Sequence, residues 1–146
     1  MPGFSLIELL AVLAIVAMLL TLALPAYHAH VVRAKRVQGQ SALLRLMQQQ
    51  ERYYTQNNQY LAFSSASLAP QAQQFQWWSG EGPVGSAYEI EAVACPDMSI
   101  GQCVLLRALP GTAKVDPQFH DPDCGVLSLT SMGQRGSSGP ASHCWP

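Results

Sequence analysis

The chain begins with an apolar run that has a single interruption. Positions 4–24 read FSLIELLAVLAIVAMLLTLAL and contain one ionisable side chain, that of Glu8. As a helix this segment would be about 32 Å long at ~1.5 Å per residue, close to the ~30 Å hydrocarbon core of a bilayer. Because apolar residues lie on every side, the pattern predicts a helix without a water-facing side. Its length favours an anchor retained in the mature protein over a cleaved secretory signal.

The pattern changes after Pro25, where polar residues enter among good helix formers. Pro25 predicts a bend and not an end, because helix-forming residues resume at once. We expect one helix of roughly 50 residues that ends near Asn57, apolar in its first half and amphipathic in its second. The apolar stripe of the second half, predicted to be its buried side, consists of Val37, Leu44, Met47 and Tyr54.

Beyond the helix, the sequence is typical of a loop followed by strands. Positions 58–86 are rich in Gly, Pro and Ser, and their Phe75, Trp77 and Trp78 are expected to cover a hydrophobic edge. Alternating residues at 88–94 predict a strand. Positions 103–109, 125–132 and 142–145 predict three more. These elements predict an α+β fold in which the second half of the helix packs on a four-stranded antiparallel sheet.

Charge is scarce and unevenly distributed. Lys, Arg, Asp and Glu make up 12% of the 146 residues, against 49% apolar residues, which excludes a disordered chain. Positions 33–52 carry a balance of +4 and positions 80–146 a balance of −4, and the net charge is −1. The three basic and seven acidic side chains at positions 80–146 argue against DNA binding by this part of the chain.

The four cysteines, Cys95, Cys103, Cys124 and Cys144, lie in the last 52 residues. An even number in a small region predicts disulfides formed in an oxidising compartment. Of the three possible pairings, the spacing favours a local Cys95–Cys103 loop and a larger Cys124–Cys144 loop, without deciding the matter.

Glu8 is the most informative single residue. A carboxylate inside an apolar span costs at least ~2.5 kcal/mol, so it should have a partner. Positions 4–24 contain no Lys, Arg or His. The remaining cation is an α-amino group, which cleavage just before Phe4 would create four residues away. Between neighbouring helices that pairing would fix their axial position; the alternative is a protonated glutamate without a role.

The segment GFSLIELL at positions 3–10 resembles the class III signal of type IV pilins and type II secretion pseudopilins. The resemblance implies cleavage by a prepilin peptidase between Gly3 and Phe4, and N-methylation of Phe4. It also implies that Glu8 neutralises the terminal amine of an adjacent subunit during assembly, and that Pro25 kinks the helix. The implied fold is the type IV pilin fold, with a long kinked N-terminal helix on a four-stranded antiparallel sheet and a disulfide-stapled C-terminal region.

The resemblance extends to PilE-like minor pilins through QQERYYTQNNQY at 49–60 and DCGVLSLT at 123–130, followed by Cys144 and Trp145. It implies that Cys124 and Cys144 close the D-region loop. The implied organisation is a leader at 1–3, an apolar membrane and fibre-core segment at 4–28, and a head at 29–146. Within the head it places an amphipathic helix at 29–57, a loop at 58–86, a sheet at 87–132 and the D-region at 124–144.

The function implied is that of a structural minor pilin, not an enzyme. It would insert in the inner membrane as a single pass with its head in the periplasm, then join or prime a cell-surface type IV pilus for adhesion, twitching motility or DNA uptake. The implied partners are other major and minor pilins, the prepilin peptidase and the inner-membrane assembly machinery, with nucleic acid disfavoured by charge. The alternatives are a type II secretion pseudopilin and a DNA-receptor competence pilin.

One feature departs from the family pattern. The family leader usually carries Lys or Arg before its glycine, and here only Met1 and Pro2 precede Gly3. We expect a longer, basic leader. The basic cluster at 33–36 would by itself place the head in the cytoplasm, but the cysteines and the family pattern favour the periplasm.

Two groups of side chains have metal-ligand chemistry without the required spacing: His120, Cys124, His143 and Cys144 for zinc, and Asp116, Asp121 and Asp123 for calcium. Pro117 and Pro122 interrupt the acidic group. No catalytic serine or cysteine motif is present. The sequence therefore predicts no metal site, no cofactor and no catalytic residue.

Overall fold

The structure is a computed structural model that describes residues 5–146, without the side chains of residues 22–26. The expectations for Gly3 and Phe4, and for the side chain of Pro25, lie outside the described residues. One helix, α1, runs from Leu6 to Asn57 over 52 residues, which confirms the predicted single long helix. It continues through position 25 without ending, and the bend there stays a prediction. Within residues 5–146, no helix combines the length and apolarity needed to cross a membrane.

The chain divides into two compact units, the first ending at Ala34 and the second comprising Lys35–Pro146. In the first unit, every described side chain from 5 to 21 is exposed. A helix that is apolar on all sides has nothing within its own unit to pack against, so this exposure follows directly from the sequence pattern.

In the second unit, α1 buries a different face from the one predicted. Val37 and Leu44 of the predicted stripe are 53% and 42% exposed, and Met47 and Tyr54 are only half-buried. The buried positions are Arg36, Gly39, Gln40, Ala42, Leu43, Leu46 and Gln50. The stripe prediction was wrong because it counted apolar residues, whereas three of the buried side chains are polar and are buried through specific hydrogen bonds.

The sheet contains four antiparallel strands in chain order, β1 (Tyr88–Ala94), β2 (Val104–Pro110), β3 (Leu127–Thr130) and β4 (Arg135–Ser137). Along β1, β2 and β3 every second side chain is buried, as the alternating sequence predicts. These buried side chains form one core with Leu43 and Leu46 of α1. The predicted α+β architecture is confirmed.

The fourth strand was placed wrongly at 142–145, where the structure has no strand, and the sheet extends past position 132 to Ser137. Gly133 forms the preceding turn with a φ of 79°, a conformation that glycine adopts without strain. The Arg-Gly-Ser sequence of β4 has no apolar alternation to reveal it. Such alternation is not required in β4, because its residues are mostly exposed and the strand lies at the edge of the sheet.

The loop between α1 and β1 runs along the outer edge of β1. Phe63 pairs with Ala92 and Trp78 with Glu89, each as an isolated antiparallel bridge. Phe75 is buried and its ring stacks on that of Phe63 at 5.1 Å between centroids. Phe75 therefore covers an edge as predicted, whereas Trp77 and Trp78 remain half-buried.

Candidate functional site

Glu8 lies in the first turn of α1 and its side chain is exposed. Its backbone N–H donates to the carbonyl of Ser5 over 3.0 Å, so the helix is already formed at this position. The neighbouring Leu6 and Ile7 are 78% and 75% exposed. A carboxylate near a helix N-terminus is favoured by the helix dipole.

At the other end of the chain, the D-region, which includes β3 and β4, is fastened to α1 and to Trp145 just after it. The Cys124–Cys144 disulfide has a Cα–Cα distance of 5.5 Å. The side-chain amide of Gln40 donates to the carbonyl of Cys144 over 2.6 Å, and both residues are buried. The indole Nε1 of Trp145 donates to the carbonyl of Gly136 over 2.8 Å. The D-region is therefore a fixed surface and not a free loop.

Arg36 and Asp121 form a buried bidentate ion pair under this region. The Nε of Arg36 donates to Oδ2 of Asp121 over 2.8 Å and an Nη to Oδ1 over 2.6 Å, and each residue is 5% exposed. Asp121 also accepts the hydroxyl of Tyr88 over 2.7 Å and the backbone N–H of Cys124 over 3.1 Å. Because four donors converge on one carboxylate, the pair is fully compensated for leaving water.

These contacts shift three ionisation equilibria. Burial by itself would raise the pKa of Asp121, but the hydrogen bonds from Arg36, Tyr88 and the Cys124 N–H outweigh it and lower that pKa. The hydrogen bond to Asp121 raises the pKa of the Arg36 guanidinium above its ordinary value. Burial, followed by the bond to Asp121, raises the pKa of the Tyr88 hydroxyl. All three groups therefore keep one charge state across the physiological range.

The second disulfide, Cys95–Cys103, closes the turn between β1 and β2 with a Cα–Cα distance of 5.4 Å. The N–H of Cys95 donates to the carbonyl of Cys103 over 3.2 Å, which continues the strand ladder up to the disulfide. The structure thus contains both disulfides that the spacing favoured, and each is local to one segment of the head.

The charge of the second unit differs from the count made for positions 80–146 alone. Lys35–Pro146 contains seven Lys and Arg against eight Asp and Glu, because α1 contributes cations. Arg36 is neutralised by Asp121, and Arg107 pairs with Glu91 over 3.1 Å. The exposed cations of this unit are Arg45, Arg52, Lys114 and Arg135. The unit is therefore nearly neutral overall, with local cations on its surface.

Arg135 is the exposed cation with the most defined surroundings. Its guanidinium carbon lies 5.4 Å from the ring centroid of Trp145, within cation–π range. One of its Nη atoms donates to the carbonyl of Pro146 over 3.2 Å. This pair places a charge beside an aromatic ring on the surface of the D-region.

Several of the residues considered as metal ligands make other bonds in the structure. Cys124 and Cys144 form a disulfide, which leaves no thiolate for zinc, and Asp121 is saturated by the donors named above. His120 and His143 are exposed. In the part of the chain that the structure describes, no three potential ligands come together to hold a metal ion.

The sequence analysis did not identify Arg36, Gln40 and Gln50 as parts of the core. Gln50 donates to the carbonyl of Leu61 over 2.6 Å and accepts the N–H of the same residue over 2.9 Å. Positions 36, 40, 43 and 50 do share one helix face. Spacing alone does not distinguish that face, because every helix position has neighbours at the same offsets.

The chain matches two protein families and resembles solved pilin structures. The family described as "Type IV minor pilin ComP, DNA uptake sequence receptor" matches residues 25–128, and the "Prokaryotic N-terminal methylation motif" matches residues 2–24. A type IV pilin from Shewanella oneidensis is 27% identical, with 79% of this chain and 98% of that chain covered and a TM-score of 0.49. The non-core minor pilin PilV of Neisseria meningitidis is 18% identical, with 79% and 94% covered and a TM-score of 0.49. No curated protein matches the chain.

Proposed function

Because the chain belongs to the ComP family of type IV minor pilins and is thus a structural pilus subunit, we propose the following route into the fibre. The precursor is cut after Gly3 and methylated at Phe4. Residues 4–28 hold it in the inner membrane as a single pass, with the head in the periplasm. The same residues then leave the membrane for the core of a type IV pilus, and the head remains on the fibre surface.

The observation that carries this proposal is the exposed apolar surface of the first unit. Leu6, Ile7 and Met18 are 78%, 75% and 74% exposed, and all side chains from 5 to 21 are exposed with them. Such a surface requires cover from lipid or from equivalent helices. Exchanging lipid for neighbouring helices keeps it covered throughout, so assembly proceeds without exposing it to water.

Glu8 sets the axial position of the subunit in this proposal. The carboxylate is unfavourable among packed apolar helices unless a cation meets it. The N-methylated amine of Phe4 on a neighbouring subunit is such a cation, created only by processing. Unprocessed subunits therefore lack the partner of Glu8, and the fibre admits only processed chains.

The proposal is tested by Glu8→Val with Thr21→Val as its matched control. Both changes remove a polar group from the same exposed segment, but Thr21 bonds only within its own helix, to the carbonyl of Met18 over 2.7 Å. We expect both variants to show Phe4 as the methylated first residue by mass spectrometry. Glu8→Val should be depleted about tenfold or more from sheared pili, and Thr21→Val should enter normally. Equal incorporation of both would overturn the role of Glu8.

A deletion strain separates the pilus from the secretion pseudopilin. Loss of surface pili or of twitching motility with normal protein export supports the pilus assignment. Loss of export with normal pili supports a type II secretion role. Adhesion is scored in the same strain, because the minor pilin can modify a fibre that still forms.

DNA reception is a second candidate, favoured by the description of the matched family as a DNA uptake sequence receptor. The near-neutral charge of the second unit weakens the objection raised by its acidic end, and Arg135 beside Trp145 supplies a cation with an aromatic ring. We propose that this surface contacts DNA phosphate and that Arg135 is one of the contacts.

The DNA proposal is tested with Arg135→Gln and with Arg107→Gln as its control, since Arg107 is already paired with Glu91. Mobility-shift titrations use the full chain in neutral detergent with duplex DNA at several salt concentrations. Loss of one phosphate contact should weaken binding and reduce the salt slope by about 1 for Arg135→Gln only. No binding by the unmodified chain at low salt would end the proposal.

A further inference from the structure

A pocket of about 390 Å³ lies in the loop between α1 and β1 and is lined by residues between positions 64 and 78. Its volume falls in the range of small-molecule sites, ~300–1,000 Å³. Its hydroxyl, amide and indole groups belong to Ser64, Ser65, Ser67, Gln73, Gln76 and Trp77. The proposed pilus and DNA-binding roles use none of these hydrogen-bonding and aromatic side chains.

The pocket is free of charge. Positions 53–79, which include all of its lining residues, contain no Asp, Glu, Lys, Arg or His. Phosphates and carboxylates are recognised chiefly by Arg and Lys, which are missing from this stretch. The lining therefore favours a neutral ligand with many hydroxyl groups over a nucleic acid or an acidic peptide.

Several polar atoms of the lining have capacity left for a ligand. The Oγ of Ser67 accepts the N–H of Ser64 over 2.9 Å, which leaves its O–H available to donate. The amide nitrogen of Gln76 donates to the carbonyls of Trp78 and Gly80 over 2.8 and 3.0 Å. The group that Gln76 has left to offer is its carbonyl oxygen. The pocket thus presents both a donor and an acceptor.

The aromatic wall is held rigidly. The rings of Trp77 and Trp78 meet edge to face at 5.1 Å between centroids, and both side chains are half-buried. The carbonyl of Trp77 accepts the N–H of Ile90 over 2.7 Å, and the N–H of Ser79 donates to the carbonyl of Tyr88 over 3.1 Å. These bonds fix the backbone that carries the two indoles to β1, which reduces the ordering that a ligand must impose.

We propose that this pocket binds a neutral sugar, one or two rings at the end of an oligosaccharide. The apolar C–H face of the sugar lies on Trp77, and its hydroxyl groups exchange hydrogen bonds with Ser67 and Gln76. A subunit carrying this pocket on a fibre surface would attach that fibre to glycans. The inference depends only on the head, so it does not require the proposed route of processing.

The experiment uses the full chain in a detergent without a sugar headgroup, because maltosides and glucosides would compete. The probes are lactose, N,N′-diacetylchitobiose and the methyl glycosides of galactose and N-acetylglucosamine. Binding is followed by saturation-transfer NMR and by tryptophan fluorescence. Saturable binding of at least one probe is expected, with a Kd on the order of 1 mM.

Three variants locate the site. Trp77→Ala removes the stacking face, and Ser65→Trp fills the pocket without deleting a hydrogen bond of the folded chain. Each should weaken sugar binding tenfold or more, with an unchanged circular dichroism spectrum. Trp145→Ala removes the tryptophan of the D-region and should leave the affinity within twofold.

Specific results would overturn the inference. One is the absence of saturable sugar binding by every probe up to about 50 mM. Another is unchanged sugar affinity in both Trp77→Ala and Ser65→Trp. A third is a loss of sugar affinity in Trp145→Ala as large as in those two variants. Saturable binding of an oligonucleotide that is lost in Trp77→Ala, with no sugar response, would assign the pocket to nucleic acid instead.

Discussion

Arg36 on α1 and Asp121 before the D-region, 85 positions apart, form a bidentate ion pair that is shielded from solvent. Tyr88 at the start of β1 donates to the same carboxylate. One ion pair therefore joins the helix, the sheet and the D-region. Breaking this pair by removing one partner would leave an unpaired buried charge in the second unit.

Removing one member of this pair should destabilise the second unit strongly. We expect Arg36→Met or Asp121→Ala to lower the free energy of unfolding by about 3–5 kcal/mol. The double change Arg36→Met with Asp121→Leu should recover much of that loss, since no buried charge remains. Arg107→Met is the control, because Arg107 and its partner Glu91 are both solvent-accessible. This variant should change the free energy of unfolding by less than ~1 kcal/mol. Guanidinium unfolding with disulfides intact measures all four, and an Asp121→Ala loss no larger than that of the control would contradict the assignment.

Acid should weaken the same contact. The pKa of Asp121 is lower in the folded chain than the ~3.9 of an unfolded aspartate, so its stabilising contribution is complete above the unfolded value and decreases as pH falls through the folded one. Asp121→Asn cannot ionise. The stability difference between the unmodified chain and Asp121→Asn should therefore shrink between about pH 6 and pH 2. Thermal unfolding across that range is the measurement, and a difference independent of pH would refute the prediction.

Gly39 should resist a substitution that normally strengthens helices. Gly→Ala in a helix interior stabilises by ~1 kcal/mol, but a Cβ at this position would lie 2.9 Å from Cδ2 of the buried Tyr88 ring. Because that ring is packed and hydrogen-bonded, we expect Gly39→Ala to destabilise by about 1–3 kcal/mol. Ser41→Ala, at an exposed position two residues later, should be neutral or slightly stabilising. Denaturant unfolding distinguishes the two, and stabilisation by Gly39→Ala would show that the ring can move aside.

Removing each disulfide should make a different segment of the second unit sensitive to proteolysis. Closing a loop of 20 residues stabilises by ~3 kcal/mol, and one of 8 residues by somewhat less. Replacing Cys124 and Cys144 by alanine should also free the Cys144 carbonyl from Gln40, so the D-region becomes a site of proteolysis. Replacing Cys95 and Cys103 should affect only the turn between β1 and β2. Limited proteolysis with mass mapping checks this, and identical cleavage patterns would contradict it.

The sequence predicts the elements of this fold better than it predicts their contacts. The length of α1, the first three strands and the favoured disulfides follow from periodicity and spacing, which are local properties. The buried face of α1 does not, because Arg36, Gln40 and Gln50 are polar and their partners lie elsewhere in the chain. Nothing in one sequence pairs Arg36 with Asp121, so both were read as members of local charge clusters.

The sugar pocket illustrates the same limit. Trp77 and Trp78 were expected to cover an edge, and the backbone beside them does pair with β1. They line one pocket with three serines only because the loop brings positions 64–78 together. A charge count by position is local in a related way, since it leaves out the cations that α1 carries into the second unit.

Both margins of the sheet are closed to strand addition. The loop bridges at Ala92 and Glu89 occupy β1, and at the other margin β4 has only three residues and accepts a bond from the Trp145 indole. These two edges therefore do not favour β-sheet pairing between the heads of neighbouring subunits. In the proposed fibre, contacts between neighbouring heads would therefore be made by side chains, and each head would keep its own sheet intact.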